Sequence, residues 1–552
     1  MKEKILTELK GSSVLKAVLG MENKVIRFMS AAKRVPGKAP EWMVVAVYAL
    51  LHLLVGAVHE PWYDEAQAWQ IARSASLWEI IFEIPHYEGH PQLWHILLYP
   101  FAKLGVPYEL SLSLVTLVVA GSAVALLVFY APFPRIVRWI LPFTYFLFYQ
   151  YGIVARPYCL MFLAFVLLAM TYQGRHEKPC KYTLCLFFLC LTSVYGIVIA
   201  GGLAFVWLLE CIKEKKNIIW LAVLLVAALL LAATLVPREN TYAMYSLLKE
   251  EATNNFWYRL YYMLFISLPD VLITNVFYQY SFLNCMKFVW YDGIIGGLLG
   301  VVIHGLIFSY GNKKKTAATF FVPFVAFAVV TSFLYCTAHH IGISLLLFLF
   351  WWWISLEAPG QETSYRGVVL LGTAMLCVMI QWSAVAVINE VQTDFAVGRR
   401  AAEFIKEYHL DEYRMMTEWG VLHDDDGNLI TSDTNMCYGA CDVAPYFEHN
   451  LFFNFGEGED SKNYVSHVIP TEAENESKYK KWREGGYPDV LLMNPELSLV
   501  WKPEELSYKD YVMVYFEKGE MPWKANVTYS MAVIYVRRDL VEKLGLEDKI
   551  CK

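Results

Sequence analysis

Two adjacent carboxylates, Asp64 and Glu65, stand in "HEPWYDEAQAW" (59–69), just past the first long apolar run of the chain. Groups of the opposite character follow. Arg73 comes next; His86, Glu88 and His90 lie in "PHYEGHPQLW"; Arg156 lies in "VARPYCL"; Arg259 sits in a long polar stretch; His339 and His340 lie in "AHHIG". A carboxylate can take the proton of an attacking alcohol, while Arg and His stabilise the negative charge that grows on a departing phosphate. Taken singly, any of these residues is accounted for by ordinary loop polarity. That account is weaker for Arg156 and the His pair, which sit between apolar runs with almost no loop. A charge placed there lines a cavity or pairs with another group, because facing lipid is costly.

The elements that must position these groups are apolar helices. The 552 residues are 57% hydrophobic and 18% charged, whereas a soluble domain is nearer half apolar and a quarter charged. Nearly all long apolar runs fall before residue 390. The reading is an α-helical polytopic membrane protein with a soluble C-terminal domain. Residues 1–40 carry nine basic against three acidic side chains, which predicts a cytoplasmic N-terminus and a retained first helix at about 42–58. Further basic loops are "PFPRIVR" (132–138), "GRHEKPCK" (174–181), "KEKK" (213–216) and "NKKK" (312–315). Placing all of them on the cytoplasmic side, with about 20 apolar residues per crossing, gives about eleven spans.

The second span is at 109–131. "WILPFTYFLFYQYGIVA" and "PYCLMFLAFVLLAMTY" are the third and fourth, with Arg156 at their outer turn. Two short helices turn near "TSVYG" (192–196), and the remaining spans are 217–236, 288–310, 316–337, 341–357 and 366–388. The segment 91–104 is too short to cross and is expected at the outer surface as an amphipathic or re-entrant helix. Residues 237–286 read as an external loop with interfacial helices, since Tyr and Trp favour the headgroup level. The chain thus divides into a basic segment (1–40), a transmembrane domain (41–389) carrying an external loop (59–108), and an extracytoplasmic α/β domain (390–552). That last domain has a helical pattern at 395–408 and strand patterns in "DVLLMN", "YVMVYF" and "SMAVIYVRR".

Several other features point to bland roles. Cys159, Cys185, Cys190, Cys336 and Cys377 lie in apolar runs and are most simply small hydrophobes; Cys437 and Cys441 form a local pair that an oxidising compartment would allow to bridge. "DDDGN" (424–428) lacks the downstream Glu and the correctly placed Gly of a calcium-binding loop, and is expected as a hairpin turn. No Cys/His spacing resembles a zinc site. The C-terminal domain has no basic stripe, so nucleic acid is not expected as a partner.

Acids opposite Arg and His, gathered on the outer face, suit transfer of a phosphate-linked sugar from a lipid carrier to a hydroxyl. The stretch "HEPWYDEAQAW…YEGHPQLWHILLYPFAKLG" resembles the first external loop of GT-C glycosyltransferases, closest to bacterial relatives of protein O-mannosyltransferases and aminoarabinose transferases. In that group an Asp-Glu pair follows the first helix and a "HPPL"-like segment opens a juxtamembrane helix; "ARPYCL" is similar to a later Arg-x-Tyr stretch. The resemblance implies an inverting transferase of a bacterial cytoplasmic membrane using a polyprenyl-phosphate sugar, with a glycan, lipid or protein as acceptor. It makes Asp64 the general base and Glu65 a second acid that contacts the donor or a divalent cation. Arg156 corresponds to a phosphate-side Arg, and His90 to the "HPP" histidine, although Gln92 departs from the second proline. Arg73, Arg259, His339 and His340 join the expected substrate-binding set on topology alone. Two other classes compete. A transporter or flippase for lipid-linked glycans would place charges near the midplane and show inverted repeats, neither of which is evident. In a non-enzymatic, glycan-binding envelope protein, the loop acids would simply be solvated.

Overall fold

Helices dominate the first 392 residues because their apolar runs are long and free of charge. The computed structural model describes residues 13–33, 36–238, 241, 256–273, 290–334, 339–359, 368–417, 420–423, 429–433, 438–453, 464, 484–486, 488–493, 510–523 and 526–551. Among these, six helices are long and apolar enough to cross a membrane: Ala39–Gly56, Tyr108–Tyr130, Val194–Glu214, Ile218–Leu235, Gly293–Lys314 and Val369–Gln392. Shorter apolar helices are Tyr158–Tyr172, Pro179–Cys190, Ala317–Phe333 and Gly342–Glu357. The architecture is that of a helical membrane protein with a small C-terminal sheet.

Tight turns join several of these helices. Left-handed residues Lys215, Asn217 and Lys315 close two of them, in the manner of helix ends that stop abruptly. Helices Val194–Glu214 and Ala317–Phe333 approach closely because residue 202 is glycine: a Cβ there would fall 2.6 Å from Pro323 Cα. Small residues at such crossings are what packing in a bilayer favours. At the end of the bundle away from the 59–108 loop, Arg135 holds Glu41 through Nε and Nη2 at 2.5 and 2.7 Å.

One expected helix is broken. "WILPFTYFLFYQYGIVA" reads as a single span, yet the chain forms helix Arg135–Ile140, a 3-10 turn Leu141–Phe143 and a π-helix Tyr145–Ile153. Pro142 supplies the cause, since proline has no N–H to donate and its ring clashes with the preceding turn. The π-helix is buried along its whole length. It is bonded to the first span, where the Tyr48 hydroxyl donates to the Leu147 carbonyl (3.2 Å) and His52 Nε2 to the Gly152 carbonyl (2.8 Å).

The 59–108 loop folds into helices Tyr63–Ser74, Leu77–Phe82, Pro85–Glu88 and Leu93–Lys103. The last lies within the segment expected as a surface helix. After the final long helix, the C-terminal domain starts with helix Gly398–Glu407. It builds a sheet from β1 (Met415–Thr417), β4 (Val490–Met493), β5 (Tyr511–Trp523) and β6 (Asn526–Arg537), in the order β1-β4-β6-β5. Only the β1–β4 pair is parallel. Strands β2 (Gly420–His423) and β3 (Leu429–Asp433) pair antiparallel. Residues 424–428, expected as their turn, lie outside the described residues. Cys441 is buried, while Cys437, its expected partner, is likewise outside them.

The C-terminal domain has its own core, centred on Ile405, Phe452, Val490 and Ile534, and is tied to the same end of the bundle as the 59–108 loop. Arg399 Nε contacts Glu109 Oε1 at 2.9 Å, and the Tyr446 hydroxyl donates to the same oxygen at 2.5 Å. Asn389 donates to the Glu520 carbonyl.

Candidate active site

Helix Tyr63–Ser74 begins right after Pro61, with both acids in its first turn, where the helix dipole favours negative charge. Adjacent residues on a helix diverge by about 100°, and the two acids meet different surroundings. Asp64 Oδ2 pairs with Arg156 Nη1 at 2.5 Å, and its side chain remains 23% exposed. Glu65 is fully buried. Its oxygens accept from the backbone N–H of Ala155 (2.5 Å), the backbone N–H of Trp62 (3.2 Å) and His59 Nε2 (3.1 Å). The Trp62 bond is half of a capping box.

This corrects the expectation for Glu65. The side chain is enclosed by protein donors and pins the helix start to the turn that carries Arg156; it is not presented to a donor or a cation. Among the described residues no group of three His, Cys, Asp or Glu is disposed to hold a metal ion. Asp64 is the acid that an incoming molecule can reach.

The bond that positions Glu65 involves a residue the sequence reading passed over. His59 lies between two buried acids: Nε2 faces Glu65, and Nδ1 faces Glu390 Oε1 at 2.6 Å. Glu390 also accepts from the Tyr149 hydroxyl at 2.5 Å. Burial alone would disfavour a charged ring, but Glu390 and Glu65 more than offset it and hold His59 well above the usual histidine range. A signal for this pairing was present: Glu390 ends an apolar run, where an acid calls for a partner. The neighbouring Glu60 is buried too, and burial pushes its pKa up to about 8, against the pull of Arg399 at 3.8 Å.

Beside Arg156 stands a group of imidazoles. His339 and His340 have ring centroids 4.2 Å apart. Tyr158 lies 5.4 and 5.7 Å from them, and Tyr195 lies 5.0 Å from His340. The Tyr151 hydroxyl, at the end of the π-helix, donates to the His339 carbonyl at 2.7 Å. Burial pushes both imidazoles well below their usual pKa, and the positive charge of Arg156 pushes the same way. His95 is buried and lowered to about 4; Glu88 opposes that shift and Arg156 adds to it. Asp64, Arg156, His90, His339 and His340 thus form one neighbourhood, in which the buried histidines are neutral hydrogen-bonding groups and Arg156 carries the charge.

Two expected site residues lie elsewhere. Arg73 donates to the carbonyls of Pro445 and Ala444 at 3.3 and 3.4 Å, clasping the C-terminal domain. Arg259 donates to the Leu334 carbonyl at 3.3 Å, at the end of helix Ala317–Phe333. Neither contact places the guanidinium against Asp64. His86 is bonded to the Val236 carbonyl and Glu88 to Gln67. Compared with protein-family models, curated proteins and solved structures, the chain shows no match.

Proposed function

We propose that this chain is an integral-membrane, inverting glycosyltransferase that moves a sugar from a polyprenyl-phosphate donor to a hydroxyl acceptor at the outer face of a bacterial cytoplasmic membrane. The observation that carries the reading is the 2.5 Å Asp64–Arg156 pair beside the His339–His340 turn: a reachable carboxylate, a guanidinium and neutral imidazoles in one place. Arg156 and the imidazole N–H groups serve the donor phosphate. When phosphate draws Arg156 towards itself, Asp64 is released to accept the acceptor's proton. The acceptor oxygen then forms the new bond to the anomeric carbon, the carbon–oxygen bond to phosphate breaks, and the lipid phosphate leaves with the electron pair.

Eleven spans follow from the same reading. The ten apolar helices and the broken segment 135–153 supply one element for each, and an odd count with the basic N-terminal segment inside puts the C-terminal domain outside. In a cysteine-free background, a membrane-impermeant thiol reagent applied from outside is expected to label a cysteine placed at Glu547 and not one placed at Lys24. Labelling of both would sink the scheme.

A charge-assisted contact contributes roughly 1.5–3 kcal/mol, so Arg156→Ala is expected to weaken donor binding about tenfold or more. Titration of purified protein with a polyprenyl-phosphate sugar measures this, and unchanged affinity in a folded variant would remove Arg156 from the donor site. The test of the whole reading is the mass of envelope glycans in cells with and without this chain. A sugar present only with it is the expected result; identical glycans would overturn the assignment.

A further inference from the structure

The seam between helix Tyr63–Ser74 and the C-terminal domain is buried yet short of hydrogen-bonding partners. Asp442, on helix Tyr438–Val443, is 1% exposed. Its Oδ2 accepts from Ser530 Oγ at 2.6 Å, and its Oδ1 has no partner. The Tyr108 hydroxyl, at the start of helix Tyr108–Tyr130, is buried and unpartnered as well, and so are both amide atoms of Gln70. At about 100° per residue, Gln70 falls between Arg73 and Tyr63 around its helix. Arg73 donates to Ala444 and Pro445, and Tyr63 packs against the C-terminal core. Tyr108 packs on Tyr446 with ring centroids 5.5 Å apart and lies within electrostatic reach of Glu65 and Asp442. Three elements thus bring unpartnered polar groups to one interface, and such groups are rare enough in native proteins to call for an occupant.

Asp64, Glu65 and Asp442 share this region. Asp64 is held by Arg156, and Glu65 is enclosed by His59 and two backbone N–H groups. Asp442 has an uncommitted oxygen. Its placement is tightly set, since a Cβ at Gly398 would lie 2.2 Å from the Asp442 carbonyl oxygen. The close contact leaves residue 398 no room for a side chain.

We propose that Asp442 is a substrate-contacting residue that the C-terminal domain brings to Asp64, its carboxyl group hydrogen-bonding a hydroxyl of the acceptor while Ser530 holds it in place. The inference rests on the transfer reading above and extends the site beyond the membrane domain. Burial pushes Asp442 up to about 8; the Ser530 bond opposes this, and the charges of Glu65 and Asp64 add to it. Other titratable groups at the seam include Arg73, with Glu448 within its electrostatic reach, and Tyr108 with Tyr446 packed on it, while Arg399 and Arg400 on the adjoining helix are engaged by Glu109 and Asp394. At neutral pH Asp442 is therefore a neutral acid that can donate to a hydroxyl oxygen while Asp64 accepts a proton. Two acids set apart by their surroundings take complementary roles.

The test uses membranes from cells whose own copy is deleted and replaced by variants, because such membranes hold both donor and acceptor. Product glycan is quantified by mass, and each purified variant is melted in detergent. Asp442→Ala is expected to lower product formation at least tenfold. Gln70→Met and Tyr108→Phe, which remove only unpartnered polar atoms, are expected to lower it severalfold without lowering the melting temperature. Asp442→Asn keeps the Ser530 contact and an N–H donor, so it should exceed Asp442→Ala and lack the decline in activity above pH 8 that is expected of the native protein. If Asp442→Ala, Gln70→Met and Tyr108→Phe all work at the native level while Asp64→Asn is inactive, the seam holds only water. The inference then falls and the transfer reading stands. If membranes with the native chain form no more product than membranes without it, the transfer reading falls and takes this one with it.

Discussion

Asp64→Asn is expected to cut sugar transfer by roughly 10²–10⁴-fold, the usual cost of removing a general base, with folding intact. The asparagine amide still reaches Arg156 but cannot take a proton. The same substitution makes an opposite prediction for the donor. Asp64 holds Arg156 at 2.5 Å, so the carboxylate competes with phosphate for that guanidinium. Without the negative charge, donor affinity should hold or tighten, whereas Arg156→Ala weakens it. Transfer from a polyprenyl-phosphate sugar by the purified variants, together with donor titration, measures both arms. Native transfer rates in Asp64→Asn would take Asp64 out of the chemistry and send the search for the base elsewhere on the outer face.

The second large effect is on stability. His59→Ala strands two fully buried carboxylates, Glu65 and Glu390, and breaking a buried ion pair from one side typically costs about 3–5 kcal/mol. Chemical unfolding in detergent should register a loss of that size, and a change below about 1 kcal/mol would show that the triad is not a structural tie. The pH dependence has a definite sign. The folded pKa of His59 lies above its unfolded value, which is near 6.5, so between the two the folded state holds more protons and stability falls as pH rises. The contribution is fully present below about pH 6.5 and is lost on the alkaline side, as pH passes the folded value. In His59→Ala that alkaline decline should be absent.

Much of the helical layout was legible because hydropathy and basic loops report it directly. The helix ends at Gly56, Tyr130, Tyr172 and Glu357 lie close to where apolar runs give way to polar or basic residues. Arg156 stood out for a different reason: it is a charge between two apolar runs with almost no loop, where the bilayer leaves few explanations, whereas Asp64 stood out only as one of an adjacent pair of acids after the first apolar run. What escaped was pairing across long sequence separations. His59 and Glu390 are 331 residues apart; an acid at the end of an apolar run announces that it needs a partner, but nothing local says that the partner is the imidazole after the first apolar helix. The adjacent acids were expected in different roles, but that Glu65 would be the enclosed one depends on which side of a helix start faces the Ala155 turn. Asp442 was hidden because a buried acid in a soluble domain looks like any other aspartate until its neighbours are known. The break in the third span was foreshadowed by Pro142, but the wide-turned geometry after it was not.

That wide-turned segment sets the rotational phase of everything after it. An α-helix turns about 100° per residue, and a π-helix, bonded from i to i+5, turns less, so the nine residues Tyr145–Ile153 deliver the chain to Val154 at an orientation that an α-helix of equal length would not reach. Arg156 stands three residues beyond, and its meeting with Asp64 depends on that orientation. Shortening the segment by one residue, so that it relaxed into ordinary helix, would barely alter hydropathy, charge or burial. It would swing the guanidinium around the helix axis and away from its carboxylate. Spacing along the chain is here a form of angular tuning, and insertions or deletions in this apolar stretch should be far less tolerated than substitutions.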